Sequence, residues 1–258
     1  MKSYRKISIG FVALALACLS VTPDQALGAA KRRVTPTAAI DPVNFVLRVD
    51  NELFPLEPGT TFFYEGEQDG TPTSNETYVT HRTKRILGVT CTVVRDLAFE
   101  EGVLVERTLD WYAQDVAGNV WYFGEDTEEL DADGNVISTE GTWKAGVDGA
   151  LPGIVMEAHP RVGDRYPQEI APGVAEDKTQ VLSLHKSTSI ALGHFDDLLL
   201  TKEWSPLDPG VVEHKFYAEG VGFIRADMVK GGDEHTELVR ITRENHADED
   251  DDHNQDKD

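Results

Sequence analysis

The sequence predicts an all-β protein: a single antiparallel sheet, curved or closed into a barrel, with little helix apart from the N-terminal signal. Three observations carry this. From about residue 50 onward, short alternating apolar and polar runs are separated by Gly, Pro, Asn and Asp, the pattern of antiparallel strands. One hairpin, 109–123, gathers Trp111, Tyr112, Trp121, Tyr122 and Phe123 around a turn at 114–119, where Asp115, Gly118 and Asn119 supply turn chemistry. No stretch keeps an apolar 3.6-residue period over the ~11 residues of a typical helix.

The ends are distinct from this body. Lys2, Arg5 and Lys6 precede an apolar run at 7–19 that is too short to span a bilayer, the build of an export signal. The chain therefore divides into a signal peptide at 1–28, a flexible leader at 29–49, a β domain at 50–243 and an acidic disordered tail at 244–258. Cleavage near Ala29 is the favoured processing. The alternative is Cys18 after Ala15-Leu16-Ala17, which resembles a weak bacterial lipobox with Ala where Leu belongs, and which would leave a lipid anchor. Either route delivers an exported protein, periplasmic or extracellular, with no transmembrane segment. Cys91 is then left without a partner and reads as a small buried hydrophobe, because no His or basic cluster surrounds it.

The net charge of −22 excludes nucleic acid as a partner and favours association with cations. The tail, with His246 and His253 among carboxylates, has too little apolar surface to order itself.

In chain order, strands are expected at 60–67, 75–86, 89–100, 103–113, 120–123, 127–130 and 135–144. The middle, 144–164, is broken by Gly146, Gly149, Pro152-Gly153 and Pro160. Strands resume at 165–170, 175–184, 187–192, 196–204, 211–218, 221–230 and 235–242, for about a dozen in all. In the hairpin, Trp121 and Phe123 are expected to face the interior and Tyr122 to lie at the rim of any cavity, since neighbours on a strand face opposite sides.

No motif of a known catalytic class is present: no Gly-x-Ser-x-Gly, His-Glu-x-x-His, phosphate loop or Cys-x-x-Cys. Asp131, Asp133 and Asn135 offer three oxygen ligands that a calcium ion could use, but Gly134 falls at the fourth position and Thr142 stands where a bidentate Glu belongs, so a plain hairpin turn is the simpler reading. His159 precedes Pro160 in an irregular loop, where functional groups concentrate on a β scaffold. His214 alternates with Val212 and Phe216 and is read as core-facing, with Glu213, Lys215 and Tyr217 on the other face. Carboxylates recur beside tryptophan at Asp110-Trp111 and Glu203-Trp204, and Glu140 lies three residues before Trp143. Ordinary alternation turns the rings inward. In a barrel with a polar interior, Asp110, Glu140 and Glu203 would line it and the tryptophans would face out.

The runs Pro55-Leu-Glu-Pro-Gly-Thr60, Leu109-Asp-Trp-Tyr-Ala-Gln-Asp115, Gly118-Asn-Val-Trp-Tyr-Phe-Gly-Glu125, Ser138-Thr-Glu-Gly-Thr-Trp143, Ala158-His-Pro160, Lys202-Glu-Trp204 and Glu213-His-Lys215 resemble those of uncharacterised secreted bacterial β-rich proteins. The resemblance covers 51–242 and implies one intact β domain; it brings no activity with it. A looser likeness, to lipocalin-like or lipoprotein-carrier-like half-barrels, concerns the fold alone.

The functional expectation is an exported, non-enzymatic binding or accessory protein that holds a small molecule or divalent cation, calcium or zinc, in the sheet's concavity. Tyr122, His159, His214, Asp110 and Glu203 are the candidate ligand residues, and Asp131, Asp133 and Asn135 the candidate metal residues. The alternatives are a metal-assisted hydrolase built on His159 and His214, and a structural envelope protein.

Overall fold

The computed structural model describes residues 40–244. The expected signal peptide with Cys18, the leader up to residue 39, and the tail from 245 with His246 and His253 lie outside the described residues.

The described chain is a meander that turns where its sequence permits positive φ. A 3₁₀ turn, Pro42–Asn44, is capped by the Asp41 carboxylate, which accepts from the Val43 amide at 3.2 Å, and leads into β1 (Phe45–Val46). Then come β2 (Thr60–Gln68), β3 (Thr71–Ile86), β4 (Val89–Glu100), β5 (Val103–Asp115) and β6 (Val120–Leu130). Asp69-Gly70, Leu87-Gly88 and Glu101-Gly102 join the first four of these, each with both residues at positive φ. That is the two-residue turn whose twist matches paired strands. Short pieces occupy the irregular middle: β7 (Val136–Ser138), β8 (Trp143–Lys144), β9 (Leu151–Met156), β10 (Arg165–Pro167) and β11 (Glu169–Ile170). A second meander follows: β12 (Lys178–Ile190), β13 (Gly193–Trp204), β14 (Val212–Ala218), β15 (Gly222–Lys230) and β16 (Glu234–Arg243).

All sixteen strands belong to one antiparallel sheet, in the order β10-β12-β13-β14-β15-β16-β2-β3-β4-β5-β6-β9-β11, with β1, β7 and β8 attached to β5 and β6. The two ends of this path, β10 and β11, are separated in sequence only by Gln168. The sheet's two edges are therefore consecutive pieces of one extended segment, and the sheet is nearly closed into a barrel. Closure occupies edges that would otherwise offer unpaired amides and carbonyls to other chains.

The seam is tight. A Cβ on Gly153 of β9 would lie 2.2 Å from the Gln168 carbonyl oxygen and 2.9 Å from that of Pro167. Gly153→Ala is thus expected to force the seam apart, at a cost of roughly 1–3 kcal/mol for overpacking. Hydrogen exchange checks it: the Ile170 and Leu151 amides, paired across the seam, should lose protection while the β3–β4 hairpin keeps it. Equal protection at both places would mean that the seam is not where the barrel closes.

Several expected boundaries change. The runs 120–123 and 127–130 are one strand, β6, and 175–184 and 187–192 merge into β12, which runs through His185 and Lys186 with shifts of register rather than a break. The run 135–144 splits into β7 and β8, and 165–170 splits at Gln168.

The hairpin faces are reversed from the expectation. Asp110 pairs with Glu125 and Tyr112 with Tyr122, with a shift of register between the two pairs at Phe123-Gly124. Gly124, at φ 126°, makes that bulge. It sets Tyr122 and Glu125 on the same inward face although they are three residues apart. Tyr122 is fully buried inside the barrel, whereas Trp121 lies half-buried on the outer face, edge-on to Phe45 at 6.1 Å. Phe123 is also buried, but beneath Phe45 at 5.6 Å. Trp111 faces outward under the Lys84 ammonium, 3.3 Å from its ring centre.

Candidate functional site

A cavity of about 820 Å³ opens at the barrel end that carries the β5–β6 and β14–β15 turns. Three loops build one side of it, and hydrogen bonds tie them together. The Gln114 side chain closes the loop after β1: its Oε1 accepts from the amides of Asp50 at 2.9 Å and Asn51 at 2.8 Å, and its Nε2 donates to Asp50 Oδ1 at 2.6 Å. Asn51 Nδ2 donates to the Gly118 carbonyl at 2.9 Å, and the Ala158 amide donates to Asn119 Oδ1 at 2.9 Å. Asp115 holds the β5–β6 turn by accepting from the amides of Ala117 and Asn119, both at 2.9 Å. This wall is preformed. The opposite wall comes from β12 and β13, where Leu184 and Leu199 supply apolar surface and an exposed His185–Asp197 pair, 3.1 Å apart, marks the rim.

His159 lines this cavity, exposed, beside Pro160. The ionisable side chains around it are Asp50, Glu52, Asp197, Glu219 and His185; among the described residues that line the cavity there is no Lys or Arg.

Below the mouth the interior changes character. Phe54 plugs the barrel, edge-on to Tyr112 at 5.4 Å, and Tyr112 stacks on Tyr122 at 4.7 Å. Beneath these rings lie buried Asp96, Asp110, Glu125, Glu169, Glu203 and Glu213, with Lys215 among them. Lys215 Nζ is 3.0 Å from Glu203 and 3.6 Å from Glu213. Burial alone would lower its pKa, but these two carboxylates outweigh it and the shift is upward.

One lysine cannot neutralise so many carboxylates. Asp110, Glu125 and Glu169 are held well above the usual carboxylate range, first by burial and then by one another and by neighbouring acids such as Asp96 and Asp177. The hydrogen bonding requires the same. The Tyr122 hydroxyl lies 2.5 Å from Asp110 Oδ1 and 3.2 Å from Glu125 Oε2. Its single proton serves one of them, so a carboxyl proton has to supply the other bond. Glu169 is 1 % exposed and neither of its oxygens has a hydrogen-bond partner among the described residues, a further reason for it to be uncharged.

The candidate residues are thus dispersed. Asp110, Tyr122 and Glu203 lie in the buried interior, as a polar-lined barrel requires, and Trp111 and Trp204 face out. Tyr122 is not at a cavity rim. Glu140 is exposed at the surface. His214 is not core-facing: Glu213, Lys215 and Tyr217 take the inward face of β14, and His214 is half-buried on the outer face, where burial lowers its pKa against the opposing pull of Asp227. His159 and His214 therefore do not converge, and among the described residues no three His, Cys, Asp or Glu side chains are arranged to hold a metal ion. Asp131, Asp133 and Asn135 form an exposed hairpin turn in which Asp131 Oδ1 accepts from the amides of Asp133 at 3.0 Å and Asn135 at 2.9 Å. Cys91 is buried, and burial pushes its thiol up to about 12.

Sequence reasoning missed Glu125, Glu169 and Asp96 inside, and Asp50, Asp197 and Glu219 at the mouth. The alternation Glu213-x-Lys215-x-Tyr217 was the available signal that an inward face is polar; nothing local marks the mouth residues.

No family model matches the chain, and no curated protein matches it. Solved structures similar to it include a candidate exported protein with a YmcC-like fold from Bacteroides fragilis, 13 % identical with a TM-score of 0.44, and a candidate lipoprotein from Parabacteroides distasonis, 12 % identical with a TM-score of 0.41. Each comparison covers 74 % of this chain and 99 % of the other. No helix among the described residues is long and apolar enough to cross a membrane.

Proposed function

We propose that this chain is an exported, non-enzymatic binding or accessory protein that takes a small molecule in the mouth of its barrel. The mouth carries the reading: a cavity of about 820 Å³ with one wall fixed by hydrogen bonds before any ligand arrives. Sites for small organic molecules occupy roughly 300–1,000 Å³ and combine apolar walls with a few placed polar groups. Leu53, Pro160, Leu184 and Leu199 are the apolar part, and His159 with the rim carboxylates the polar part. A preformed wall reduces the ordering cost that binding would otherwise incur. Export rests on the basic and apolar N-terminal pattern, with cleavage near Ala29 favoured over a lipid anchor at Cys18.

The test is a thermal-shift screen of small organic cations, neutral molecules and anions against the exported form and an Ala117→Trp variant, whose indole occupies the cavity. Compounds that raise the melting temperature of the native protein should lose that effect in the variant. Shifts of equal size in both would place binding elsewhere.

A further inference from the structure

We infer that the mouth selects organic cations: a ligand with an ammonium or similar group on an apolar stem. The inference rests on the binding role proposed for this cavity and adds the chemistry of what enters it. Carboxylates stand on several sides, Asp50 and Glu52 on the loop after β1, Asp197 on β13, and Glu219 on the β14–β15 turn. No lysine or arginine among the described residues lines the cavity; Asp197 is paired with His185 at 3.1 Å, and Asp50 accepts from the Gln114 amide at 2.6 Å.

An anion entering would leave its hydration shell for a wall of like charge. A cation exchanges that shell for carboxylates while its stem covers Leu53, Leu184 and Leu199. The net charge of −22 adds a long-range field that draws cations toward the molecule. The same geometry disfavours a bare metal ion. The carboxylates are spread around a wide opening, and among the described residues no three metal-ligating side chains come together. An alkylammonium needs one carboxylate for its head and covers the leucines with its stem, whereas a metal ion needs several ligands to converge and gains nothing from the apolar wall.

Calorimetric titration of the exported protein at low salt separates the possibilities, with hexylammonium, hexanol, hexanoate and calcium chloride as probes. Hexylammonium should bind, hexanol more weakly, and hexanoate and calcium should give no saturable heat in the mouth. The double substitution Glu52→Gln with Glu219→Gln should weaken hexylammonium roughly fivefold while leaving hexanol unchanged, as for partly exposed charge pairs. Both side chains are exposed, so the fold should tolerate the change. Ala117→Trp, which keeps every carboxylate, should abolish hexylammonium binding. Three results overturn the inference. Hexanol or hexanoate binding as tightly as hexylammonium, and losing that binding in Ala117→Trp, would leave a binding mouth without cation selection. Hexylammonium binding unchanged in Ala117→Trp would be diffuse association with an acidic surface. No binding by any probe would remove the cation inference, and a mouth that also fails the wider screen would remove the binding role.

Discussion

The barrel is expected to lose stability as the pH rises from 5 to 8, the reverse of a protein whose carboxylates are ionised and paired. Asp96 is one of the buried acids responsible. Burial raises its pKa from 3.8 to about 6, against the opposing hydrogen bonds from Asn75 and from Thr77 at 2.9 Å. A group whose folded pKa lies above its unfolded value contributes stability that is complete below the unfolded pKa and is lost as the pH climbs through the folded one. For Asp96 that window runs from about 4 to about 6. Glu157 and Asp177 extend it to about 7 and Glu234 to about 8, each raised mainly by burial. Asp110, Glu125 and Glu169, raised first by burial, add to the loss in the same direction.

Asp96 alone accounts for roughly 3 kcal/mol at 1.36 kcal/mol per pKa unit, or roughly 6–12 °C of melting temperature for a domain of this size. Groups that work the other way, Asp131 and Asp227 with lowered pKa values, lose their contribution only below their ordinary range, so the maximum should fall near pH 4–5. Melting curves between pH 4 and 9 at constant ionic strength check the profile. Self-repulsion of a chain of charge −22 has the same sign, so a second variant separates the terms: Asp96→Asn should remove its own 6–12 °C share of the slope and leave the remainder. A flat or rising wild-type profile would show that the interior acids are ionised and neutralised by something bound among them.

Much of the architecture was legible because it is written locally. Asp69-Gly70, Leu87-Gly88 and Glu101-Gly102 announce tight turns, and the alternating runs between them are long enough to leave no other assignment. The seam was not legible: that Arg165–Pro167 and Glu169–Ile170 pair with strands on opposite sides of a closing barrel follows from the whole ring, not from those residues. Facing failed for a related reason. Both faces of β4, β5 and β6 are covered, the inner by Tyr112 and Tyr122 and the outer by Phe45 and Lys84, so apolar content does not say which side is inside. Period-2 reasoning also breaks at Gly124, where one extra residue turns the face over. Of the mouth, only His159 was visible, as a histidine in a Pro-containing loop. Asp50, Asp197 and Glu219 reach it from remote parts of the chain and look like ordinary surface acids in sequence.

Tyr122→Ala is expected to destabilise the protein far more than Trp121→Ala, although tryptophan is the larger residue. Tyr122 is fully buried, stacked on Tyr112 at 4.7 Å, edge-on to Trp143 at 5.4 Å, and hydrogen-bonded to Asp110 and Glu125. Removing a buried ring of this kind costs roughly 3–5 kcal/mol. Trp121 keeps one side toward solvent, packs edge-on to Phe45, and donates from Nε1 to Asp115 at 2.8 Å, so its loss should stay within roughly 1–2 kcal/mol, the range of most single substitutions. Urea denaturation of the two variants at one pH ranks them, and a larger loss for Trp121→Ala would mean that the outer face is the core. Tyr122→Phe then isolates the hydroxyl. Its hydrogen bond lowers the Asp110 pKa, so it favours the ionised carboxyl over the neutral one. The penalty for Tyr122→Phe, about 1 kcal/mol for one lost hydrogen bond because Tyr112 also bonds Asp110, should therefore grow as the pH rises. A penalty independent of pH would mean that Asp110 keeps one charge state throughout, and that the Tyr122 hydroxyl serves the packing of the interior without taking part in its protonation.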